Sequence, residues 1–136
     1  MPIIAVETEG ADSYAKSLKA GFLVELPSIS SIATTLGARI VCEQALAYSK
    51  NHRIESVVLP DKLAVSASLQ FLQDHGIVVE PACGVALAAV YEKVAALSGY
   101  KTVLVIVCGG LGSTADDLVE LARLESQLVF PEVSRT

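Results

Sequence analysis

An α/β fold with a mainly parallel sheet flanked by helices follows from the spacing of apolar residues along the chain. Short runs rich in β-branched residues alternate with segments of helical periodicity, and glycine or proline marks most junctions. Strands that alternate with helices build a parallel sheet covered by those helices. In such sheets ligands gather outside the carboxyl ends of the strands.

Taken in order, IIAVETEG (3–10) is a buried strand closed by Gly10, and Asp12 or Ser13 can cap a helix that stops at Gly21. FLVELP (22–27) reads as a half-exposed extended piece ended by Pro27. SISSIATTLG (28–37) has serine and threonine caps before a short helix, and RIVCEQALAYSKNH (39–52) carries helical periodicity through Ile40, Val41, Leu46 and Ala47. ESVVLP (55–60) is a further strand, after which Asp61 caps a long helix through Val65, Leu69 and Leu72 to Gly76. IVVEPACGVALAAVYEKVAALSG (77–99) joins a strand to a strongly apolar helix with Pro81 near its start and Gly99 past its end. VLVIV (103–107) is the last strand, and a helix from about Thr114 to Gln127 sets Leu118, Leu121, Ala122 and Leu128 on one side.

The chain has 136 residues, 52% hydrophobic and 18% charged, enough apolar material for one domain with a substantial core. Residues 1–136 are therefore expected to form a single α/β segment. The net charge of -5 and the absence of a lysine or arginine run argue against nucleic acid as a partner. No apolar stretch approaches ~20 residues and no signal-like core opens the sequence, so neither a membrane span nor secretion is expected. Cys42, Cys83 and Cys108 are widely spaced, with no CxxC pair, which fits a reducing, cytoplasmic setting better than a disulfide framework or a zinc site.

The chemistry concentrates in VLVIVCGGLGST (103–114), a buried strand ending in a thiol and a glycine turn. Two readings of those residues alone stay open. Gly110 to Ala115 satisfies G-x-G-x-x-A between strand and helix, with Glu132 about twenty residues further on, as a small dinucleotide-binding domain requires. Alternatively the glycines merely permit a tight turn, and Cys108 is a small buried side chain.

Four stretches in order, AVETEGADS (5–13), SISSIATTLGA (28–38), VVEPACGVALAAVY (78–91) and VIVCGG (105–110), together resemble the C-terminal part of the catabolic L-serine/L-threonine dehydratases. The resemblance spans nearly the whole chain, and EPACGVALAAVY with VIVCGG is close to a signature of that family. It implies pyridoxal phosphate (PLP) fold type II, the fold of tryptophan synthase β chains, and a lyase reaction that converts L-serine to pyruvate and ammonia by β-elimination. By resemblance Cys108 faces the pyridine nitrogen of the cofactor, and Gly109 and Gly110 let the backbone approach the ring. The family also holds a monovalent cation, usually potassium, which maps onto the Glu7 carboxylate and the carbonyls of Ala11, Leu36 and Ala38. Thr35 stands where the family usually carries a smaller residue. On the residues alone, Glu7 reads rather as a strand-end acid capping the following helix. Ser113 and Thr114 read as caps of the last helix, Cys42 as helix filling, Cys83 as close helix packing, Glu80 as structural, and His52 and His75 as polar helix ends.

The resemblance also marks what is missing. In the family the Schiff-base lysine, the loop that grips the substrate carboxylate and the glycine-rich phosphate loop all lie upstream of the stretch matching Pro2. None of Lys16, Lys19, Lys50, Lys62, Lys93 and Lys101 matches the family's lysine motif. The expectation is a truncated dehydratase, an incomplete fold that is inactive alone. It implies association with an N-terminal fragment or a full-length homologue, within the homo-oligomers of the family, acting on L-serine or L-threonine. A non-catalytic fragment bound to such a relative is the alternative.

Overall fold

The computed structural model describes residues 1–128. Two strands, β1 (Ile3–Thr8) and β2 (Ile54–Leu59), run parallel in register from Ile3 opposite Ile54 to Thr8 opposite Leu59. Between them the chain passes through α1 (Ser13–Ala20), a single 3-10 turn at Thr34–Leu36 and α2 (Glu43–Tyr48). After β2 come α3 (Asp61–His75), α4 (Pro81–Tyr91), a second 3-10 turn at Ala95–Leu97, and α5 (Ala115–Leu128).

Helix α4 organises the core because it is apolar on every side. Cys83, Gly84, Val85, Leu87, Ala88 and Ala89 are all buried, and Pro81 occupies the first turn, where its missing N–H is not needed. Ala67 and Phe71 of α3 pack with Val79, Cys83, Leu87 and Ala88, and Leu59, Leu63, Tyr91 and Val105 close over them. The two helices lie so near each other that a Cβ on Gly84 would collide with Ser68 Oγ and the Ala64 carbonyl. Helix α5 rests on α3 through Leu118, which is fully buried.

Two expected strands do not form. Residues 77–79 and 103–107 have no ladder partner in the described sheet, which holds β1 and β2 alone, and the piece 22–27 is likewise unpaired. A strand exists only as a paired element. The free edge of β1 faces an apolar groove of about 420 Å³, and residues 102–106 form its opposite wall rather than pairing across it. Leu104 and Ile106 are consequently 79% and 73% exposed.

Helices also differ from expectation in length. The segment 28–37 makes only one 3-10 turn, 39–52 contributes six helical residues, and α4 stops at Tyr91, after which Lys93 takes a left-handed φ of 50°. Neither Asp12 nor Ser13 caps α1 through its side chain, and Asp61 lies inside α3, whose N-cap is Pro60. Cys42 is an exposed N-cap residue of α2 rather than helix filling, whereas Cys83 is buried in close packing as expected. Among the described residues no helix is long and apolar enough to cross a membrane.

Candidate functional site

Two loop clusters meet beyond the carboxyl ends of β1 and β2. The first is built on Glu7 and Thr8, the last residues of β1. Glu7 is 8% exposed, and its two carboxylate oxygens accept the backbone N–H groups of Tyr14 (2.9 Å) and Ala15 (2.7 Å) in the first turn of α1. That is the capping role open to Glu7 from the sequence. Burial pushes its carboxyl above the ordinary value, although the two N–H groups pull the other way. Each oxygen retains a further lone pair.

Thr8 begins a buried hydrogen-bond relay. Ser31 donates to Asp61 Oδ1 (2.6 Å), so the 2.7 Å contact between Thr8 and Ser31 hydroxyls must have Thr8 as donor. Ser31 Oγ also accepts the Ala33 N–H at 3.0 Å, and Asp61 Oδ2 accepts the Ile32 N–H at 2.9 Å. Ser30 N–H donates to the Gly10 carbonyl at 3.2 Å, which stitches the same loop to the β1–α1 turn. The turn carrying Ala11 and the loop carrying Leu36 and Ala38 are thus fastened together, and the Leu36 carbonyl already accepts the Ala38 N–H at 3.0 Å.

The second cluster holds Cys108, Gly109 and Gly110. Cys108 is exposed, not a buried filler, and its N–H donates to Cys83 Sγ at 3.2 Å. Gly109 has φ of 145°, where a side chain would be strained, and its carbonyl accepts the Glu80 N–H at 3.0 Å. Gly110 lies flat on the preceding segment, where a Cβ would come within 2.8 Å of Val79 Cα. Glu80 links the two clusters, since Thr35 donates to its Oε1 at 3.0 Å.

A groove of about 310 Å³ lies beside Glu80, walled by Ile32–Thr35, the start of α4, the Gly112–Ser113 turn and one side of α5; Glu7, Cys108, Gly109 and Gly110 do not line it. None of the six lysines lines it, and all six are exposed. His52 and His75 are exposed beside Tyr48 and Phe71 (ring centroids 5.6 and 4.5 Å apart). Among the described residues no group of three or more His, Cys, Asp or Glu side chains could hold a metal ion. A site built mainly from main-chain carbonyls lies outside that count.

The dinucleotide pattern fits this geometry poorly. No strand precedes Gly110, and a Cβ at Gly112 would meet Glu80 Oε2 at 3.1 Å, which puts an acid where a pyrophosphate would have to approach. Glu132 lies outside the described residues. Thr114 caps α5 as expected, by accepting the Asp117 N–H at 3.1 Å and donating its own N–H to the Asp117 carboxylate at 2.8 Å. The Thr8–Ser31–Asp61 relay is the part that reading along the chain missed. Asp61 follows Pro60 as a helix-start acid should, and nothing local reveals that its partner lies 30 residues earlier.

A model of the pyridoxal-phosphate dependent enzymes matches residues 1–109, and the chain belongs to that family. Within it, the bovine (Bos taurus) L-serine dehydratase/L-threonine deaminase is 44% identical over 143 residues, covering 99% of this chain and 43% of that protein. The catabolic L-serine/threonine dehydratase of Saccharomyces cerevisiae is 36% identical, over 97% of this chain and 42% of its own length. The crystal structure of a fungal L-serine ammonia-lyase from Rhizomucor miehei superposes with a TM-score of 0.83 at 33% identity, over 90% of this chain and 41% of that one. The fold is therefore that of PLP fold type II enzymes, and the chain spans about two fifths of the length of these relatives.

Proposed function

We propose that these residues form the cofactor-ring side of a PLP-dependent L-serine/L-threonine ammonia-lyase, a cytoplasmic enzyme that releases ammonia by β-elimination. The observation that carries this reading is Cys108, an exposed residue at the head of a glycine turn that is fastened to Cys83 and, through the Gly109 carbonyl, to Glu80 on the wall of an open groove. When bound, PLP supplies the electron sink that lets a bound amino acid lose its α-proton. Cys108 would be the residue beside the pyridine nitrogen, where a thiol would supply a weaker proton partner than a carboxylate. Gly109 and Gly110 keep side-chain bulk away from the ring.

Glu7, with the carbonyls of Ala11, Leu36 and Ala38, holds a monovalent cation such as potassium. Their fit rests on the donor set. A desolvated carboxylate with a spare lone pair on each oxygen, combined with main-chain carbonyls, is the all-oxygen ligand chemistry a hard cation prefers.

The 136 residues on their own are inactive in this reading. With all six lysines exposed and away from the groove, the cofactor-bearing lysine and the phosphate loop come from other polypeptide, linked or separate, which covers the apolar face between β1 and residues 102–106. That polypeptide is the N-terminal part of a dehydratase, within a homo-oligomer. The test is pyruvate release from L-serine and PLP by the chain mixed with the N-terminal portion of a relative. Activity that needs both and falls on Cys108→Ala supports the proposal; a mixture that stays inert while the intact relative is active contradicts it.

A further inference from the structure

The Thr8–Ser31–Asp61 relay occupies a position that no catalytic or ligating role explains. Thr8 and Ser31 are 0% and 6% exposed, so their hydroxyls have lost solvent and need each other. Every capacity of Ser31 Oγ is used, with two donors (Thr8 O–H, Ala33 N–H) and one acceptor (Asp61 Oδ1). Asp61 holds the adjacent backbone as well, through the Ile32 N–H. Charge-assisted bonds of 2.6 to 2.9 Å are the strong kind. The carboxylate sits in the first turn of α3.

The relay ties three elements at one point: the end of β1, the loop after Ser31 and the start of α3. One residue before Thr8 is Glu7, and five residues after Ser31 is Leu36. We infer that Thr8, Ser31 and Asp61 are positioning residues that set the register between the Glu7/Ala11 turn and the Leu36/Ala38 loop, and so tune cation affinity. This rests on the cation site proposed above. Thr35, on the same loop, bonds Glu80, whose N–H holds Gly109, so loop position is passed on to the Cys108 turn.

The test uses the 136-residue chain and potassium chloride titrated against choline chloride at constant ionic strength. Hydrogen exchange of residues 29–38 is followed by mass spectrometry, with α4 as internal reference. In the parent chain potassium slows exchange in that loop with a measurable midpoint. Ser31→Ala, which leaves the Asp61 carboxylate without its closest donor, is expected to raise the midpoint about tenfold or more, the equivalent of one charged hydrogen bond. Thr8→Val, isosteric and lacking the donor, raises it by a smaller factor, whereas Thr8→Ser keeps the hydroxyl and stays near the parent value. Protection of α4 is unchanged in all three. A parent chain that responds to potassium, with Ser31→Ala and Thr8→Val at the same midpoint, overturns the positioning role alone. A parent chain with no potassium response removes the cation site, and the positioning role with it.

Discussion

At Glu7 a single side chain serves the local helix whatever else it binds. Two N–H groups of α1 end on its two oxygens, while Asp12, the residue that looks like the cap, only pairs with Lys16 on the surface at 2.8 Å. Glu7→Gln leaves one acceptor oxygen for two donors and is expected to cost about 1–2 kcal/mol in urea denaturation. Asp12→Ala is expected to change stability by less than about 0.5 kcal/mol, as exposed ion pairs do. A titration belongs to this scale too. The Thr114 hydroxyl and N–H hold the Asp117 carboxyl below the usual 3.8, so the bond contributes above that value and is lost as the pH falls through the lowered one. Exchange of the Thr114 amide proton should therefore quicken, relative to its intrinsic rate, as the pH falls through that lowered value, and Asp117→Asn should abolish the acid step.

At the scale of elements, the α3–α4 contact decides whether the site is held. Glu80 is the N-cap residue of α4, accepts the Thr35 hydroxyl and donates its N–H to the Gly109 carbonyl, so any shift of α4 moves the Cys108 turn. Gly84→Ala drives a methyl group into Ser68 and the Ala64 carbonyl, and overpacking of this kind costs about 1–3 kcal/mol. Because backbone is one of the colliding partners, shortening Ser68 to alanine should recover only part of that loss. Leu118→Ala, which empties a fully buried site between α5 and the body, is expected to cost about 2–5 kcal/mol. Thermal or urea unfolding of the purified chain reads both.

At the scale of the molecule, elements whose cause is local were legible in the sequence and those whose cause is distant were not. β1, β2, α1, α3 and α5 follow from periodicity and stop signals, and Pro81 and Gly21 stand where the helix boundaries fall. Residues 103–107 read as a strand because Val, Leu and Ile favour one, yet a ladder needs a neighbour and a groove separates them from β1. The exposure of Cys108 and the relay through Asp61 were likewise beyond the sequence, since each depends on which loops meet in space. The family was legible from EPACGVALAAVY and VIVCGG, and residues 1–109 match its model.

The apolar face left between β1 and residues 102–106 is where the account is most exposed to test. Pyruvate release from L-serine and PLP should be measured for the 136-residue chain alone, for the N-terminal portion of a relative alone, and for the two together. The account predicts no pyruvate from either part and pyruvate from the mixture, reduced by Cys108→Ala. Pyruvate from the chain alone, above a protein-free control, would mean that one of its six exposed lysines serves the cofactor, and the division of the site drawn here would be wrong.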